Sequence, residues 1–307
     1  MNTVICIVGP TASGKTSLSI ELAKKVNGEI ISADSMQIYK DLDIGTAKVT
    51  KEEMQGIPHH MINIVSANEN FSVADFKKMC YEKMDEIIKR GKTPIIVGGT
   101  GLYVSSVMLD MNFDEQEVDQ KYRDELYKLA EENSNEYIHN MLKEVDEKSA
   151  NEIHPNNLKR VIRALEMYKS NKAKSVHMNE EKERIENLQS KYKFKLFCLT
   201  MNKELLHERI NLRVDEMVNQ GLEKEAKFVY TLPQGTLKQA VGYKEFFEYF
   251  EGKVDLNFVI EEIKLRTRQY AKRQMTWFKK MPNVVYLNTL DTKDKIIKEI
   301  MVNVYEK

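Results

Sequence analysis

The sequence predicts an α/β protein, with a parallel sheet flanked by helices and an inserted all-helical domain. Apolar runs typical of buried strands alternate with helical patterns in both terminal parts of the chain. Between about residues 112 and 193, helical patterns such as YRDELYKLAEEN and NNLKRVIRALEMY dominate, and no convincing strand pattern occurs. The strand pattern resumes at Phe194. We therefore expect residues 1–111 and 194–307 to form one core, into which residues 112–193 are inserted.

The elements of the core follow from short local patterns. The segment SLSIELAKKV predicts a helix that ends near Asn27. A second helix is expected from its cap Ser72 to about Arg90, with one apolar face made by Phe76, Cys80, Met84 and Ile87. Six apolar runs are predicted strands, the third with the weakest pattern: Val4–Val8, Glu29–Ala33, Met61–Val65, Thr93–Val97, Phe194–Thr200 and Asn283–Thr289.

The composition fits a soluble globular protein of the cytoplasm. Hydrophobic residues make up 42% and charged residues 31% of the 307 positions. No secretory signal and no apolar run near the length of a membrane span is present, so we expect no membrane association. Nothing in the sequence demands more than a monomer. The three cysteines are Cys6, Cys80 and Cys198. They lie far apart and each stands in an apolar run, which indicates buried thiols and not disulfides or a zinc site.

Charge is balanced overall but unevenly distributed. Lys plus Arg and Asp plus Glu both number 47, so the net charge gives no evidence for a nucleic-acid partner. Residues 115–152 hold 12 acids and 5 bases, whereas residues 159–195 hold 11 bases and 5 acids, and residues 261–280 hold 7 bases and 2 acids. The two basic segments indicate either a polyanion-binding surface or solvated helix faces.

A phosphate-binding loop follows the first predicted strand and makes the core resemble P-loop NTPases. Its sequence GPTASGKT matches G-x-x-x-x-G-K-[ST] in the required strand–loop–helix context. Backbone N–H groups and the helix N-terminus would face an anion, the lysine would add a mobile charge, and the last threonine would ligate Mg²⁺. The pattern therefore predicts a diphosphate or triphosphate site formed by Gly9, Pro10, Thr11, Ala12, Ser13, Gly14, Lys15 and Thr16.

Asp34 is a candidate general base. It lies at the predicted carboxyl end of the second strand, the edge at which open α/β sheets bind ligands, and the phosphate loop lies on the same edge. The alternative is that Asp34 only caps the following turn. Farther along, Gly45 would permit a tight turn and Lys48 would reach a phosphate. The adjacent pair His59-His60 favours structural roles over metal binding, because no third ligand has a recognisable spacing.

The fourth predicted strand poses a question. A nucleotide hydrolase with such a phosphate loop usually has a later strand that ends in Asp, which helps to hold magnesium. Here the run Ile95-Ile96-Val97 ends in GGTGLY. The glycines would let the backbone approach a ligand closely. Without further information, the segment is also compatible with a plain strand-to-helix turn.

Eight segments in order resemble the bacterial tRNA dimethylallyltransferases, also called tRNA isopentenyltransferases. The matching segments are GPTASGKT, DSMQIYKDLDIGTAK, PHHMI, FSVADF, GGTGLY, HPNNLKRVIRALE, VGYKE and RQYAKRQMTWF, and they extend from residue 9 to about residue 278. Each segment alone is weak evidence, but the ordered series is very specific.

The resemblance implies that a dimethylallyl group is transferred from dimethylallyl diphosphate to the exocyclic N6 amine of the adenosine 3′ of a tRNA anticodon. The phosphate loop with Mg²⁺ at Thr16 would then stabilise a departing diphosphate. Asp34 would accept the proton of the attacking amine, and Gly98 and Gly99 would approach a flipped-out base. No water is activated for phosphate hydrolysis, so the missing strand-end acid is expected.

The resemblance also implies contacts for both substrates. On the diphosphate side it implies an arginine in the helix NKELLHERINLRVDEMV, with Arg213 favoured over Arg209. The base pocket would include Asp34, Ser35, Met36, Gln37 and Thr100. The insertion would grip the anticodon stem-loop through Arg123, Lys159, Arg160, Val161, Ile162 and Arg163. The catalytic set is Asp34, Lys15, Thr16 and Thr100.

Three other functions are compatible with parts of the sequence. A small-molecule kinase also pairs a phosphate loop with an acid after strand two, but the long helical insertion is large for a kinase lid. An adenylate isopentenyltransferase would prenylate free AMP or ADP, and the segment HPNNLKRVIRALE argues for tRNA instead. A non-catalytic tRNA-binding module would leave Lys15 and Asp34 unexplained.

Overall fold

The computed structural model describes residues 2–113, 119–170, 176, 190–233 and 235–305. The chain divides into two compact units, one formed by residues 1–108 with 190–307 and the other by residues 109–189. The first unit contains the sheet, which confirms the predicted α/β class. No helix in the described ranges is long and apolar enough to span a membrane.

Six parallel strands form one sheet in the order β3-β2-β4-β1-β5-β6. Five of them agree with the predicted runs to within two residues at each end. The strands are β1 (Asn2–Val8), β2 (Gly28–Ser32), β3 (His59–His60), β4 (Thr93–Gly98), β5 (Tyr192–Thr200) and β6 (Val284–Asn288).

The predicted third strand, Met61–Val65, is wrong. The strand at this edge is the two-residue pair His59–His60, which precedes the predicted run. Met61 and Asn63 adopt φ angles of +63° and +56°, and this left-handed conformation cannot continue a strand. Within the predicted run, Val65 alone forms a β-type pairing, an isolated parallel bridge to Tyr39.

Helices cover both faces of the sheet. The predicted helix after Ser72 is confirmed: Ser72 and Asp75 form a capping box, and the four residues of its predicted apolar face are buried. The helices of this unit are α1 (Lys15–Val26), α2 (Lys51–Met54), α3 (Val73–Lys89), α4 (Gly101–Met108), α9 (Lys203–Asn219), α10 (Leu222–Thr231), α11 (Phe247–Phe250), α12 (Leu256–Phe278) and α13 (Lys293–Tyr305).

The core lies in two apolar layers on opposite faces of the sheet. Along β1, Val4, Cys6 and Val8 pack into one layer, while Ile5 and Ile7 pack into the other. Both faces are covered, as expected for parallel strands. The three cysteines are buried free thiols, as predicted.

The second unit is helical in its described part. Its helices are α5 (Gln120–Glu132), α6 (Asn135–Val145), α7 (Glu147–Glu152) and α8 (Leu158–Lys169), and no strand occurs in residues 109–113 and 119–170. They enclose a separate apolar core that includes Leu126, Ile138, Leu142, Val161 and Leu165. The unit therefore has a hydrophobic core of its own.

A buried carboxylate ties strand β2 to its neighbours. The Glu29 side chain is 3% exposed and accepts from His60 Nε2 at 2.7 Å, from Arg90 Nη2 at 2.6 Å and from Lys92 Nζ at 2.9 Å. Burial opposes ionisation of Glu29, but the hydrogen bonds from Arg90, Lys92 and His60 outweigh it and lower its pKa to about 2. The carboxylate therefore holds β2, β3 and the start of β4 together.

Replacement of Glu29 by Gln is expected to lower the free energy of unfolding by about 2 kcal/mol at neutral pH, because charge-assisted hydrogen bonds are lost. The folded pKa of Glu29 lies below the unfolded value of 4.5, so its contribution is present above pH 4.5 and disappears as the pH falls towards 2. Urea unfolding across this range measures the effect. Glu82→Gln, at an exposed position of α3, is the matched control, and equal losses in the two variants would contradict the prediction.

Candidate active site

Three loops meet at one edge of the sheet. Strands β2, β4 and β1 are neighbours in the sheet. Asp34 lies in the loop that leaves the carboxyl end of β2, Gly99 lies in the loop after β4, and the phosphate loop follows β1. Backbone hydrogen bonds join the first two loops, since Ala33 N–H donates to Val97 O at 2.8 Å and Thr100 N–H donates to Ala33 O at 3.2 Å. This is the edge at which parallel sheets bind ligands.

The phosphate loop has the conformation that its glycines permit. Gly9 and Gly14 have φ angles of +143° and +86°, and helix α1 starts at Lys15 without a side-chain cap, which leaves its first N–H groups for an anion. The ammonium of Lys15 donates to Gly9 O at 3.1 Å and to Pro10 O at 2.7 Å. The buried Ser13 hydroxyl has no partner among the described residues and is a further donor for a bound anion.

A cavity of about 620 Å³ opens beside this loop. It brings Lys15 and Thr16 together with Asp34, while Ser35, Met36 and Thr100 lie outside the set of described residues that line it. The lining also includes apolar side chains from the sheet face to which Ile5 and Ile7 belong, and polar groups from helices α9, α12 and α13. The lining residues include Gln37, Lys48, His59, Gly98, Gly99, Arg213, Tyr270 and Gln274.

Asp34 is placed for proton transfer. Its Oδ1 accepts from Met36 N–H at 2.9 Å, which fixes the carboxylate in the cavity. Burial raises its pKa above the usual 3.8, and the Met36 N–H and the charge of Lys15 oppose that rise only in part. A carboxylate with a raised pKa is a stronger proton acceptor, which suits a general base.

Arg213 is the arginine that faces the anion loop. Its Nη1 lies 3.4 Å from Thr11 Oγ1, and it lines the cavity. Arg209, one turn earlier on α9, is exposed and is not among the described residues that line the cavity. The geometry therefore supports the preference for Arg213 as the diphosphate contact.

The glycines after β4 serve contacts within the protein. A Cβ at Gly98 would overlap the backbone of Ala33, a Cβ at Gly99 would overlap the amide of Gln274, and a Cβ at Gly101 would overlap the Trp277 ring. The expectation that Gly98 and Gly99 let the backbone approach a flipped-out base stays a prediction, and both residues line the cavity. Their missing side chains let the β2 loop and helix α12 approach this turn.

The remaining residues of the expected base pocket are held by internal hydrogen bonds. Thr100 Oγ1 accepts from Ser35 N–H at 3.0 Å, and its hydroxyl donates to Ser35 Oγ at 3.3 Å. The Gln37 amide donates to Thr46 O and Ala47 O and accepts from Ser32 Oγ. These groups shape the wall behind Asp34.

The segment DIGTAK is organised by charges inside the protein. Lys48 donates to Tyr39 O at 2.8 Å, Asp43 Oδ1 at 2.6 Å and Asn63 Oδ1 at 2.7 Å, so its three N–H donors are engaged. This argues against the expectation that Lys48 reaches a phosphate, because all its donors are used within the protein. A Cβ at Gly45 would lie 2.6 Å from the Tyr243 ring, so the glycine is needed for packing, not for a special φ angle.

The two histidines have structural contacts, as expected. His59 Nδ1 lies 2.8 Å from Ile57 O, and His60 Nε2 lies 2.7 Å from Glu29. Within the described part of the chain, no group of three or more His, Cys, Asp or Glu side chains is arranged to hold a metal ion. A magnesium ion would depend on Thr16, phosphate oxygens and water, which is a mode that this ion commonly adopts with phosphate substrates.

In the helical unit, the residues expected to contact tRNA fall into three groups. Arg123 makes a two-bond contact with the buried Glu166 at 2.6 and 2.9 Å, and Arg163 donates to the same carboxylate at 3.2 Å. Lys159 and Arg160 are exposed. The expectation that Val161 and Ile162 contact tRNA is corrected, because their side chains are buried in the core of the helical unit.

Three cavity or loop residues were not singled out from the sequence. Gln274 and Tyr270 of α12 line the cavity, and Glu225 of α10 accepts from the backbone N–H groups of Asp43, Ile44 and Gly45. Gln274 and Tyr270 lie in the segment RQYAKRQMTWF, which carried part of the resemblance. Their roles depend on contacts with residues far away in the chain.

The affinity for inorganic pyrophosphate is expected to fall at alkaline pH. Burial, and then the charge of Arg213, lower the pKa of Lys15 to about 8. Lys15 is charged below that value, so above it binding must take up a proton and should weaken by on the order of tenfold per pH unit. Titration calorimetry at several pH values measures this, with Lys15→Met as the control for ionisation of pyrophosphate itself. Identical pH profiles for the wild type and Lys15→Met would contradict the prediction that the charge of Lys15 contributes to pyrophosphate binding.

Comparison with known proteins gives a consistent result. A sequence model of the IPP transferase family matches residues 37–281. The tRNA dimethylallyltransferase of Bacillus anthracis is 50% identical over 290 residues, which cover 94% of this chain and 91% of that relative.

Solved structures agree with the sequence comparisons. The full-length tRNA isopentenylpyrophosphate transferase of Bacillus halodurans is 44% identical, with a TM-score of 0.72 over 98% of this chain and 94% of that one. A eukaryotic dimethylallyltransferase acting on tRNA is 35% identical, with a TM-score of 0.82 over 98% of this chain and 78% of that one. The resemblance inferred from the motifs is confirmed, and the chain belongs to the IPP transferase family.

Proposed function

We propose that this enzyme transfers a dimethylallyl group from dimethylallyl diphosphate to the N6 amine of the adenosine 3′ of a tRNA anticodon. The observation that carries the proposal is that one cavity is lined both by an anion loop with Lys15 and Thr16 and by the carboxylate of Asp34. Such a pair serves a reaction in which an anion departs and a nitrogen loses a proton. The names of the relatives favour tRNA as the acceptor.

Bond making and bond breaking account for the residues at the site. The N6 lone pair forms a bond to the allylic carbon, while the bond from that carbon to the bridging oxygen breaks and diphosphate leaves with the electron pair. Lys15, Arg213 and the N–H groups at the start of α1 stabilise the charge that develops on the diphosphate. Asp34 takes the proton that the nitrogen loses, and this assistance matters because an aromatic amine is a weak nucleophile.

Magnesium is part of the proposal. When bound, it would neutralise charge on the diphosphate, with the Thr16 hydroxyl as the protein ligand. The rest of the catalytic work falls to the chain. Dimethylallyl diphosphate as donor, which the family resemblance implies, is likewise part of the proposal, as are the monomeric state and the cytoplasmic location expected from the sequence.

The acceptor adenosine must leave its stack to reach the cavity. Bases in a single-stranded loop are extruded at lower cost than bases in a duplex, so an anticodon loop suits this chemistry. Lys159 and Arg160 of the helical unit are exposed cations of the kind that contact phosphates. We therefore assign the grip on the anticodon stem to this unit.

Incubation of the enzyme with labelled dimethylallyl diphosphate and unmodified tRNA tests the function, with ATP and free AMP as competing substrates. The proposal predicts label in tRNA and release of diphosphate, with no turnover of ATP. Phosphoryl transfer from ATP without prenylation would support a kinase. Label in AMP but not in tRNA would support an adenylate isopentenyltransferase.

Asp34→Asn should lower the rate of transfer by roughly 10²–10⁴-fold, because the amide cannot accept the proton. The variant keeps the size of the side chain and the contact to Met36, so tRNA and pyrophosphate should bind as before. The raised pKa of Asp34 also predicts that the wild-type rate falls with acid at a pH above 3.8, and that this limb disappears in the variant. A variant with full activity would remove the base assignment.

Arg160→Glu should weaken tRNA binding without a change in pyrophosphate binding. Each lost phosphate contact also lowers the salt dependence of binding, by a slope of about one. Filter binding at several salt concentrations measures both quantities. Lys143→Glu makes the same charge change at an exposed position of α6 in the same unit and is the control. Unchanged tRNA affinity in Arg160→Glu would make this part of α8 a solvated surface.

A further inference from the structure

The side chain of Gln274 joins the two loops that border the cavity. Its Oε1 accepts from Thr11 N–H of the anion loop at 2.8 Å, and its Nε2 donates to Gly99 O of the loop after β4 at 3.0 Å. Gln274 is only 5% exposed, so water does not compete freely for these bonds. One amide thus spans two loops that are far apart in the sequence.

Both bonds require an uncharged side chain that carries an acceptor and a donor, which the amide supplies at neutral pH. The N–H of Thr11 needs an acceptor, and the carbonyl of Gly99 needs a donor. A carboxylate at position 274 would accept from Thr11 but would set a negative oxygen against Gly99 O. An apolar side chain would leave both backbone groups unpaired in a buried place, which is costly.

Gly99 provides a second observation. A Cβ at this position would overlap Nε2 of Gln274, so the absence of a side chain there makes the bond possible. The same loop is fixed to the Asp34 loop through Thr100, whose N–H donates to Ala33 O and whose Oγ1 accepts from Ser35 N–H. Gln274 therefore connects the anion loop to the group of loops that holds the carboxylate.

Tyr270 supports the same connection from one helical turn earlier on α12. It lines the cavity, and its hydroxyl lies near the side chains of Thr100 and Gln274. Burial, and then the charge of Asp34, raise the pKa of this hydroxyl, so it stays protonated. Helix α12 thus presents two polar side chains, Tyr270 and Gln274, to the cavity.

We propose that Gln274 is a positioning residue, which fixes the separation between the anion loop and the loops that hold Asp34. The inference rests on the proposed function, because the anion loop would hold the leaving diphosphate and Asp34 would meet the incoming amine. In-line transfer requires both at a set distance, and a displacement of about 1 Å can cost on the order of 10²-fold in rate. The effect should fall on the transfer step and not on the binding of either substrate alone.

Two substitutions at Gln274 test this, with Gln269 as a matched control. Gln274→Met keeps the length of the side chain and removes both hydrogen bonds. Gln274→Glu keeps the acceptor and loses the donor while it is ionised. Gln269→Met makes the same change at an exposed position of the same helix. Single-turnover transfer, KM for the donor, tRNA affinity, pyrophosphate affinity and thermal unfolding are measured for each.

The expected result is a loss of roughly 10²-fold in the transfer rate of Gln274→Met, with KM and the two affinities close to those of the wild type. Gln274→Glu should recover relative to the wild type as the pH falls, because the protonated acid both accepts from Thr11 N–H and donates to Gly99 O. Substitution of a residue that only stabilises the fold would lower the temperature of thermal unfolding and leave the single-turnover rate of the folded enzyme unchanged. Gln269→Met should transfer at the wild-type rate.

The contrary outcomes are distinct. Wild-type transfer rates in folded Gln274→Met, or a loss confined to KM, would overturn the inference and leave the proposed function intact. If Gln274→Met fails to fold, Gln274→Glu decides, and an activity ratio to wild type that does not change with pH would overturn the inference. A wild-type enzyme that transfers no prenyl group to tRNA would instead overturn the proposed function, on which the inference rests.

Discussion

The strand order β2-β4-β1 is the constraint on which the rest of the site depends. Parallel neighbours end at the same edge, so the loops after these three strands meet although they are far apart in the sequence. The anion loop, Asp34 and Gly99 come together for this reason. The ligand cavity lies among them, and helix α12 is fixed against their backbone by Gln274.

The same burial acts on the two charged groups of the cavity in opposite ways. It lowers the pKa of Lys15 and raises that of Asp34, while the attraction between them moderates both shifts. The raised pKa makes the Asp34 carboxylate a better proton acceptor. A bound anion would favour the charged form of Lys15 and so oppose the lowering of its pKa by burial. Burial of these two groups thus suits both ends of a transfer in which a proton and a diphosphate leave.

Local patterns made much of this predictable, and distant contacts did not. The anion loop and Asp34 could be found because a strand, a glycine loop and a helix start follow one another directly. The packing of the glycines after β4 could not be predicted, because their neighbours Ala33 and Gln274 are supplied by other segments. The contacts that engage Lys48 could not be predicted for the same reason. The predicted third strand is wrong because Met61 and Asn63 adopt left-handed φ angles, which an apolar run does not reveal.

A crystal structure of the enzyme with a non-hydrolysable thio analogue of the prenyl donor and an unmodified anticodon stem-loop tests the central claim most directly. The quantity to measure is the position of the adenine N6 atom relative to Asp34 and to the allylic carbon. The account predicts diphosphate oxygens on the N–H groups of the loop before α1, and N6 within hydrogen-bond distance of the Asp34 carboxylate. A diphosphate bound away from that loop, or an N6 atom out of reach of Asp34, would contradict it.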